Sequence, residues 1–245
     1  MTCVLLGGIR DGDIRHDASG GDVAATPILD WGNDDVARLY DDIAGGAIQS
    51  AQEFLVSAHR SVGARIRAVY GLDDRQPVSV TLSRRRGSCS QRLAVVEALA
   101  RRRGIATRVR GLVLRGEFWY PRFRHLHAVI PKSVLLAWPE FLVDERWRDI
   151  SEIVSLPALP EVSAVSSVEP FTNAGEETLF DAIGRAPISW GKSVSCDCLD
   201  FSEFVDRDLG TFESRDELFE KFGQTMSTPV RVLLDPAFRN WSASG

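Results

Sequence analysis

The sequence predicts a mixed α+β fold, and three observations carry that expectation. A helix with both of its end signals occupies residues 88–103. A strand-like run follows it, from Gly104 to Gly116. Two more strand-like runs, 133–143 and 146–151, meet at a turn at Asp144-Glu145. Helices and strands mixed in this way, in 245 residues of which 44% are hydrophobic and 26% charged, suit one good core with an appendage.

Each element has a local reason. Residues 1–31 read as strand and loop. Asn33 and Asp34 can cap a helix from about Asp35, with Val36, Leu39, Tyr40 and Ile43 at helical spacing, and Gly45-Gly46 breaks it. A longer helix is expected from about Ile48 to Tyr70, with Ala51, Phe54, Leu55, Ala58 and Val62 on one face and Gly71 at its end. The stretch 73–87 reads as irregular. The helix after it is the clearest in the chain. Ser88 and Gln91 form a capping box, and Leu93, Val96, Leu99 and Ala100 give an apolar face. Three arginines fill the last turn, where they oppose the helix dipole, and Gly104 stops it.

Residues 118–132, FWYPRFRHLHAVIPK, are aromatic and bounded by proline, and read as loop or short strand. Pro139 interrupts its strand and predicts an edge or a bulge. Residues 152–174, rich in Pro, Ser and Val, are expected to wrap the surface, and 176–185 to form a short helix. Ser214 and Glu217 form a second capping box, opening a helix over SRDELFEKFGQ, within a stretch read as amphipathic packing helices and loops. The division expected is a core with N-terminal helices over 1–151 and an extension packed on it over 152–245, together one compact domain.

Bulk properties exclude some classes. No run of 18 apolar residues exists, so no membrane span or membrane partner is expected. MTCVLLGGIRDGD lacks a basic lead and a small-residue cleavage site; it reads as a first strand, and the compartment expected is the cytoplasm. A net charge of −5 argues against nucleic acid as a partner. Basic residues are nearly all arginine, with lysine only at 132, 192 and 221, which suggests a GC-rich, bacterial genome. The arginine runs 84–86 and 101–103 read as solvated surface. The cysteines Cys3, Cys89, Cys196 and Cys198 are too sparse for a disulfide framework and read as free thiols. Cys196 and Cys198 lack the paired ligands of a zinc site, so neither metal nor cofactor is expected.

Cys89 is the candidate nucleophile. With Ser88 as N-cap it is the first helical residue, beside unpaired N–H groups and the positive end of the helix dipole. Arg84, Arg85, Arg86 and Arg92 would add positive potential. The Cys89 N–H could serve as an oxyanion donor, and Gly87 would permit the tight turn into the helix. The competing reading is a small buried residue at a helix start.

Four motifs stand in order around that thiol: TLSRRRGSCSQ, ALARRRGIATRVRG, AWPEF and DERW. Together, from Val78 to Ser151, they resemble the transglutaminase-like superfamily of cysteine acyl-transfer and amide-cleaving enzymes. The resemblance implies a papain-like α+β arrangement, in which the cysteine helix packs on an antiparallel sheet carrying His and Asp. It also exposes a departure. AWPEF places Leu136 in the seat of the catalytic His, and the hairpin then places Ser151 in the seat of the Asp. Leucine cannot move the thiol proton.

Replacement groups are available nearby. His125 and His127 alternate in the aromatic insertion and share a face if extended. His127-Ala128 also supplies a competing placement of the family's His-Ala pair. Asp149 lies two residues before the expected Asp and shares a face with Trp147 and Ser151. Trp119, Tyr120, Trp138 and Glu140 are the expected substrate contacts; Asp144 is a turn residue. His59 and His16 are remote candidates.

The preferred reading is a cysteine-dependent acyl transfer, or amide formation or cleavage, on a small-molecule or carrier-protein-bound substrate, in specialised metabolism. Cys89 would be the nucleophile, with a non-standard base. The alternative is a catalytically degenerate domain that binds a ligand or protein. A purely structural or regulatory role is a third class. Oligomeric state is not legible in the sequence.

Overall fold

The computed structural model describes residues 7–12, 19–45, 49–124, 127, 130–155, 169–191, 197–238 and 240. It opens with strand β1 (Gly7–Ile9), helices α1 (Asp34–Ala44) and α2 (Ala51–Arg65), strand β2 (Arg67–Ala68), helix α3 (Val78–Arg84) and strand β3 (Arg86–Gly87). Helix α4 (Cys89–Arg102) leads into strands β4 (Thr107–Arg115), β5 (Ser133–Val143) and β6 (Arg146–Asp149), then helix α5 (Ile150–Ser155). Helix α6 (Leu179–Ile183), strands β7 (Ile188–Ser189), β8 (Leu199–Asp200) and β9 (Val205–Phe212), helix α7 (Arg215–Phe222), strand β10 (Gly223–Met226) and helix α8 (Thr228–Phe238) complete it.

The fold is α+β, with α4 at its centre. Helices α2 and α3 pack on α4 from one side and strands β4 and β5 from the other. Every residue of α4 from Gln91 to Arg101 is buried, so this is an inner helix. The main sheet is antiparallel in the order β6-β5-β4-β9. Its register puts Leu136 opposite Leu112, Trp138 opposite Arg110, and Glu140 between Arg108 and Asp149. The β5–β6 turn is tight because Asp144 and Glu145 both take positive φ, 51° and 60°, the mirror-image turn that matches strand twist.

Caps fix the helix starts. Asn33 accepts from the Asp35 N–H, and Ser50 forms a capping box with Glu53. The Ser50 box starts α2 at Ala51, and the helix ends at Arg65, short of the expected Tyr70. The chain then extends as β2 beside β3. Residues 78–84, expected to be irregular, form α3, closed by Arg85 in the left-handed region at φ 50°. Residues 150–155 form α5 rather than the end of a strand, so Ser151 is helical and does not share a strand face with Trp147 and Asp149.

The stretch 205–212, read as helix and loop, is strand β9 on the sheet edge. Pro139 is tolerated in β5 because β6 pairs only as far as Glu140, leaving Pro139 with β4 on one side.

Arg101 is not solvated surface. It is 2% exposed, and its guanidinium donates to Thr107 Oγ1 (2.7 Å), Ala24 O (2.8 Å) and Glu213 O (2.5 Å). Two distant segments, at Ala24 and Glu213, and the start of β4 are thereby tied to the end of α4. Arg92 is likewise buried, with its guanidinium 3.9 Å from the Phe180 ring centre. The cysteines divide: Cys89 is a free thiol, but Cys198 is disulfide-bonded, against the expectation of free thiols. Cys3 and Cys196 lie outside the described residues. No helix among the described residues is long and apolar enough to cross a membrane.

Candidate active site

The start of α4 is rigidly built. The Ser88 hydroxyl accepts from the Gln91 N–H at 3.3 Å, and Gln91 Oε1 accepts from the Ser88 N–H at 3.0 Å. The same Gln91 side chain donates to Asp73 O at 2.8 Å, which moors the 71–74 loop to the helix. Gly71 is required by that mooring: a Cβ there would stand 2.6 Å from Gln91 Oε1. Gly87 is required for space, not for a left-handed turn. A Cβ there would meet Thr81 Cγ2 at 2.9 Å and Gln91 Cβ at 3.3 Å, and its φ is not positive.

Cys89 is thus the first residue of α4, half-buried, and it opens onto a cavity of about 230 Å³. The walls are mostly apolar. Leu135 and Leu136 come from β5, Phe118, Trp119 and Phe123 from the aromatic insertion, and Leu234 and Phe238 from α8. The Cys89 thiol therefore sits at the positive end of the α4 dipole, beside a mostly apolar cavity wall.

Several polar groups interrupt the apolar wall, Arg122, Tyr70 and Asp74 among them. Arg122 is held by Asn173 Oδ1 (2.9 Å) and Glu177 O (2.5 Å), and it bonds the Tyr70 side chain. Burial pushes the Tyr70 phenol above its ordinary value; Arg122 draws it back, and negative charge at Cys89 adds to the rise. Asp74, in the 71–74 loop, also lines the cavity. Its carboxyl is pushed up to about 7 by burial, against the pull of Arg215, with Asp73 adding to the rise and Arg231 and the Ser90 hydroxyl opposing it. Its N–H donates to Gln224 Oε1 at 2.8 Å.

Behind Ser90 lies a buried ion pair. Arg215 Nε and Glu97 Oε1 are 2.5 Å apart, both side chains 0% exposed. Arg215 Nη1 donates to Ser90 Oγ at 3.0 Å and Nη2 to Ala137 O at 3.3 Å. The helix of Cys89, the strand of Leu136 and α7 meet at this one guanidinium.

Residues 72–151 match the family model of the transglutaminase-like superfamily. This transglutaminase-like segment runs from the mooring loop through α4 and the β4–β6 strands to Ser151. A solved structure from Cytophaga hutchinsonii, called a "putative cysteine protease", is similar at 13% identity and a TM-score of 0.40. The likeness covers 52% of this chain and 39% of that one, so this chain spans well under half of that protein's length. No curated protein matches the chain.

Within the transglutaminase-like segment, the two residues expected in the seats of the triad, Leu136 and Ser151, carry no acid–base group. Leu136 is 7% exposed and lines the cavity with Cys89. Ser151 is fully buried and works structurally: its hydroxyl donates to Asp149 Oδ1 (2.6 Å) and accepts from the Ile188 N–H (2.9 Å). Asp149 does not line the cavity. Its Oδ1 accepts from the Ser151 N–H (2.7 Å) and the Glu152 N–H (3.1 Å), so it caps α5. Burial raises its carboxyl, and the bonds from Ser151 and Glu152 oppose the rise.

The aromatic insertion does lie over the cavity, but His127 turns away. It is exposed, stacks on Tyr120 at 4.3 Å between ring centres, and its Nε2 donates to Tyr120 O at 3.3 Å. His59 is buried elsewhere, stacked on Phe180 at 4.1 Å with Nε2 donating to Phe180 O at 2.8 Å. Burial pushes it down to about 4. Neither lines the cavity. His125 and His16 lie outside the described residues.

Of the expected substrate contacts, Trp119 lines the cavity and Tyr120 packs outside it on His127. Trp138 is 1% exposed, edge-on to Trp190 in the core, and Glu140 pairs with Arg108 at 2.6 Å. Strand alternation puts all three on one face of β5, but Trp138 and Glu140 lie further along the strand than Leu136 and do not line the cavity. Among the described residues, no group of three or more His, Cys, Asp and Glu is placed to hold a metal ion.

Tyr70, Asp74 and Arg122 carried no sequence signal. Asp74 is one of 34 acidic residues and belongs to no motif. Only the fold of the 71–74 loop against α4 distinguishes it.

Proposed function

We propose that this chain carries out cysteine-dependent acyl transfer, or amide formation or cleavage, with Cys89 as nucleophile. The substrate would be a small molecule or a carrier-bound group whose acyl part is apolar. The supporting observation is the free thiol at the N-terminus of α4, opening onto an apolar cavity. An acyl chain would lie against Leu135, Leu136 and Trp119, with its carbonyl carbon at the helix start. The N–H of Cys89 would donate to the developing oxyanion. Arg122 and Tyr70 would face the polar end of the acceptor.

The test is acylation by p-nitrophenyl esters of increasing chain length. The expected result is one acyl group per chain, mapped to Cys89 by mass spectrometry, faster for octanoate than for acetate, and lost in Cys89→Ala. Undiminished ester turnover by Cys89→Ala would remove the reading.

A second reading is a binding module. One observation favours it: neither described imidazole lines the cavity, while Leu136 does. Such a module would bind an apolar ligand equally well in Cys89→Ala.

A further inference from the structure

With Leu136 in the expected histidine seat and neither described imidazole lining the cavity, the Cys89 thiol still needs a group to take its proton. Asp74 and Cys89 line the same cavity, with Ser88 and Ser90 beside them. The hydroxyl of Ser90, the residue next to Cys89, lies by the Asp74 carboxylate and favours its ionised form. That hydroxyl is itself held by Arg215 Nη1 at 3.0 Å, and the Asp74 backbone is held by Gln224 at 2.8 Å. The Asp74 backbone is thus anchored on β10, and its carboxyl stands by a serine of α4 that α7 holds in place, in a cavity with mostly apolar walls.

We propose that Asp74 is the proton-transfer partner of Cys89, standing in for the imidazole that Leu136 displaced. This rests on the reading of Cys89 as a nucleophile. In the first step the Asp74 carboxylate takes the Cys89 thiol proton as sulfur forms a bond to the acyl carbon. In the second the carbon–heteroatom bond to the leaving group breaks, and the Asp74 carboxylic acid returns the proton to that heteroatom. Charge and atoms balance without a further reactant.

The chemistry suits the position. A carboxylate at its ordinary value is too weak a base for a thiol. One pushed up to about 7 by burial is close to the working pH, where general acid–base transfer is most effective. The charged groups that face it are Arg215 from α7, Arg231 from α8 and Asp73 from its own loop. Ser90 is a positioning residue, since its hydroxyl favours the ionised carboxylate.

The experiment uses the full chain with two probes, p-nitrophenyl octanoate and iodoacetamide, read as Cys89 modification by peptide mass mapping from about pH 5.5 to 8.5. Wild type is expected to show a rise in acylation with an inflection near 7. Asp74→Asn is expected to lose that inflection and to acylate about 100-fold more slowly at neutral pH, with Asp74→Glu partly restoring the rate. Ser90→Ala is expected to keep the inflection and move it to higher pH, a shift that loss of fold would not produce.

Iodoacetamide separates a base from a bystander. A carboxylate that only repels the thiolate makes Asp74→Asn react faster than wild type, whereas a base makes it react more slowly. Equal or faster modification in Asp74→Asn overturns the assignment of Asp74 alone. A wild-type Cys89 that takes up no acyl group overturns the nucleophile reading beneath it.

Discussion

Removing the Arg215 side chain tests how the site is held together. Arg215 and Glu97 are both fully buried, 2.5 Å apart, and Glu97 Oε2 has no hydrogen-bond partner among the described residues. Arg215→Met keeps most of the volume. It leaves a buried carboxylate without its charge partner and frees Ser90 Oγ and Ala137 O. Breaking one side of a buried pair costs about 3–5 kcal/mol. For a chain of this size that is a fall in Tm of roughly 6–20 °C.

The carboxylate has one escape, which is to bind a proton. Burial already raises Glu97, and Arg215 is the chief opposing influence. Without Arg215 the carboxyl rises further, so the native variant binds a proton that its unfolded chain does not. The penalty must therefore shrink as pH falls. Urea unfolding of wild type and Arg215→Met at pH 5 and pH 7.5 reads both effects. Adding Glu97→Leu to Arg215→Met is expected to recover most of the loss, because a matched apolar pair is close to neutral. A single variant that loses under about 1 kcal/mol, or a double variant no better than the single, refutes the reasoning.

Three other outcomes follow from the same geometry. Gly87→Ala forces a methyl group against Thr81 and Gln91; a loss of about 1–3 kcal/mol in urea unfolding is expected, and none would mean that the α4 start is looser than described. Leu136→His places an imidazole in the cavity wall, and faster iodoacetamide labelling of Cys89 at neutral pH is expected; an unchanged rate would put that position out of reach of the thiol. His59 and Asp74 should tilt stability in opposite directions. His59, pushed down to about 4, stays neutral when folded, so its contribution is lost as pH falls from about 6.5 to 4, at most about 3 kcal/mol. Asp74, pushed up to about 7, holds a proton when folded, so stability falls as pH rises from about 4 to 7, at most about 4 kcal/mol. Urea midpoints at pH 4.5 and 7 should therefore rise with pH in Asp74→Asn and fall with pH in His59→Gln, and slopes of the same sign would contradict the pair.

Local signals made part of this legible. The Ser88–Gln91 box fixed the start of α4 because capping is a contact between near neighbours, and the β5–β6 hairpin was legible for the same reason. What failed depended on distant partners. Residues 78–84 lack a side-chain cap and become α3 by packing on α1 and α4. Residues 205–212 become β9 only because β4 offers an open edge. Arg101 looked like surface because its carbonyl acceptors come from residues 24 and 213 as well as Thr107. At the site, Cys89 carried a signal and Asp74 did not, because a loop carboxylate acquires its character only from what folds around it.

The features that survive at this site do not all speak for catalysis. The capping box, Gly71 and Gly87 would be kept by any inner helix packed this tightly, whatever its thiol did. A module that only bound an apolar ligand would need them too. A group that lowers stability is more informative, because packing alone gives no reason to keep it. Asp74 is such a group: at neutral pH its buried charge costs the fold free energy that an asparagine would not. The same substitution therefore separates the two readings. In an enzyme, Asp74→Asn should be more stable above pH 7 and poorer at acylating Cys89. In a binding module it should be more stable with Cys89 chemistry unchanged. A stability gain without a loss of acylation would leave the transglutaminase-like scaffold in place and its thiol idle.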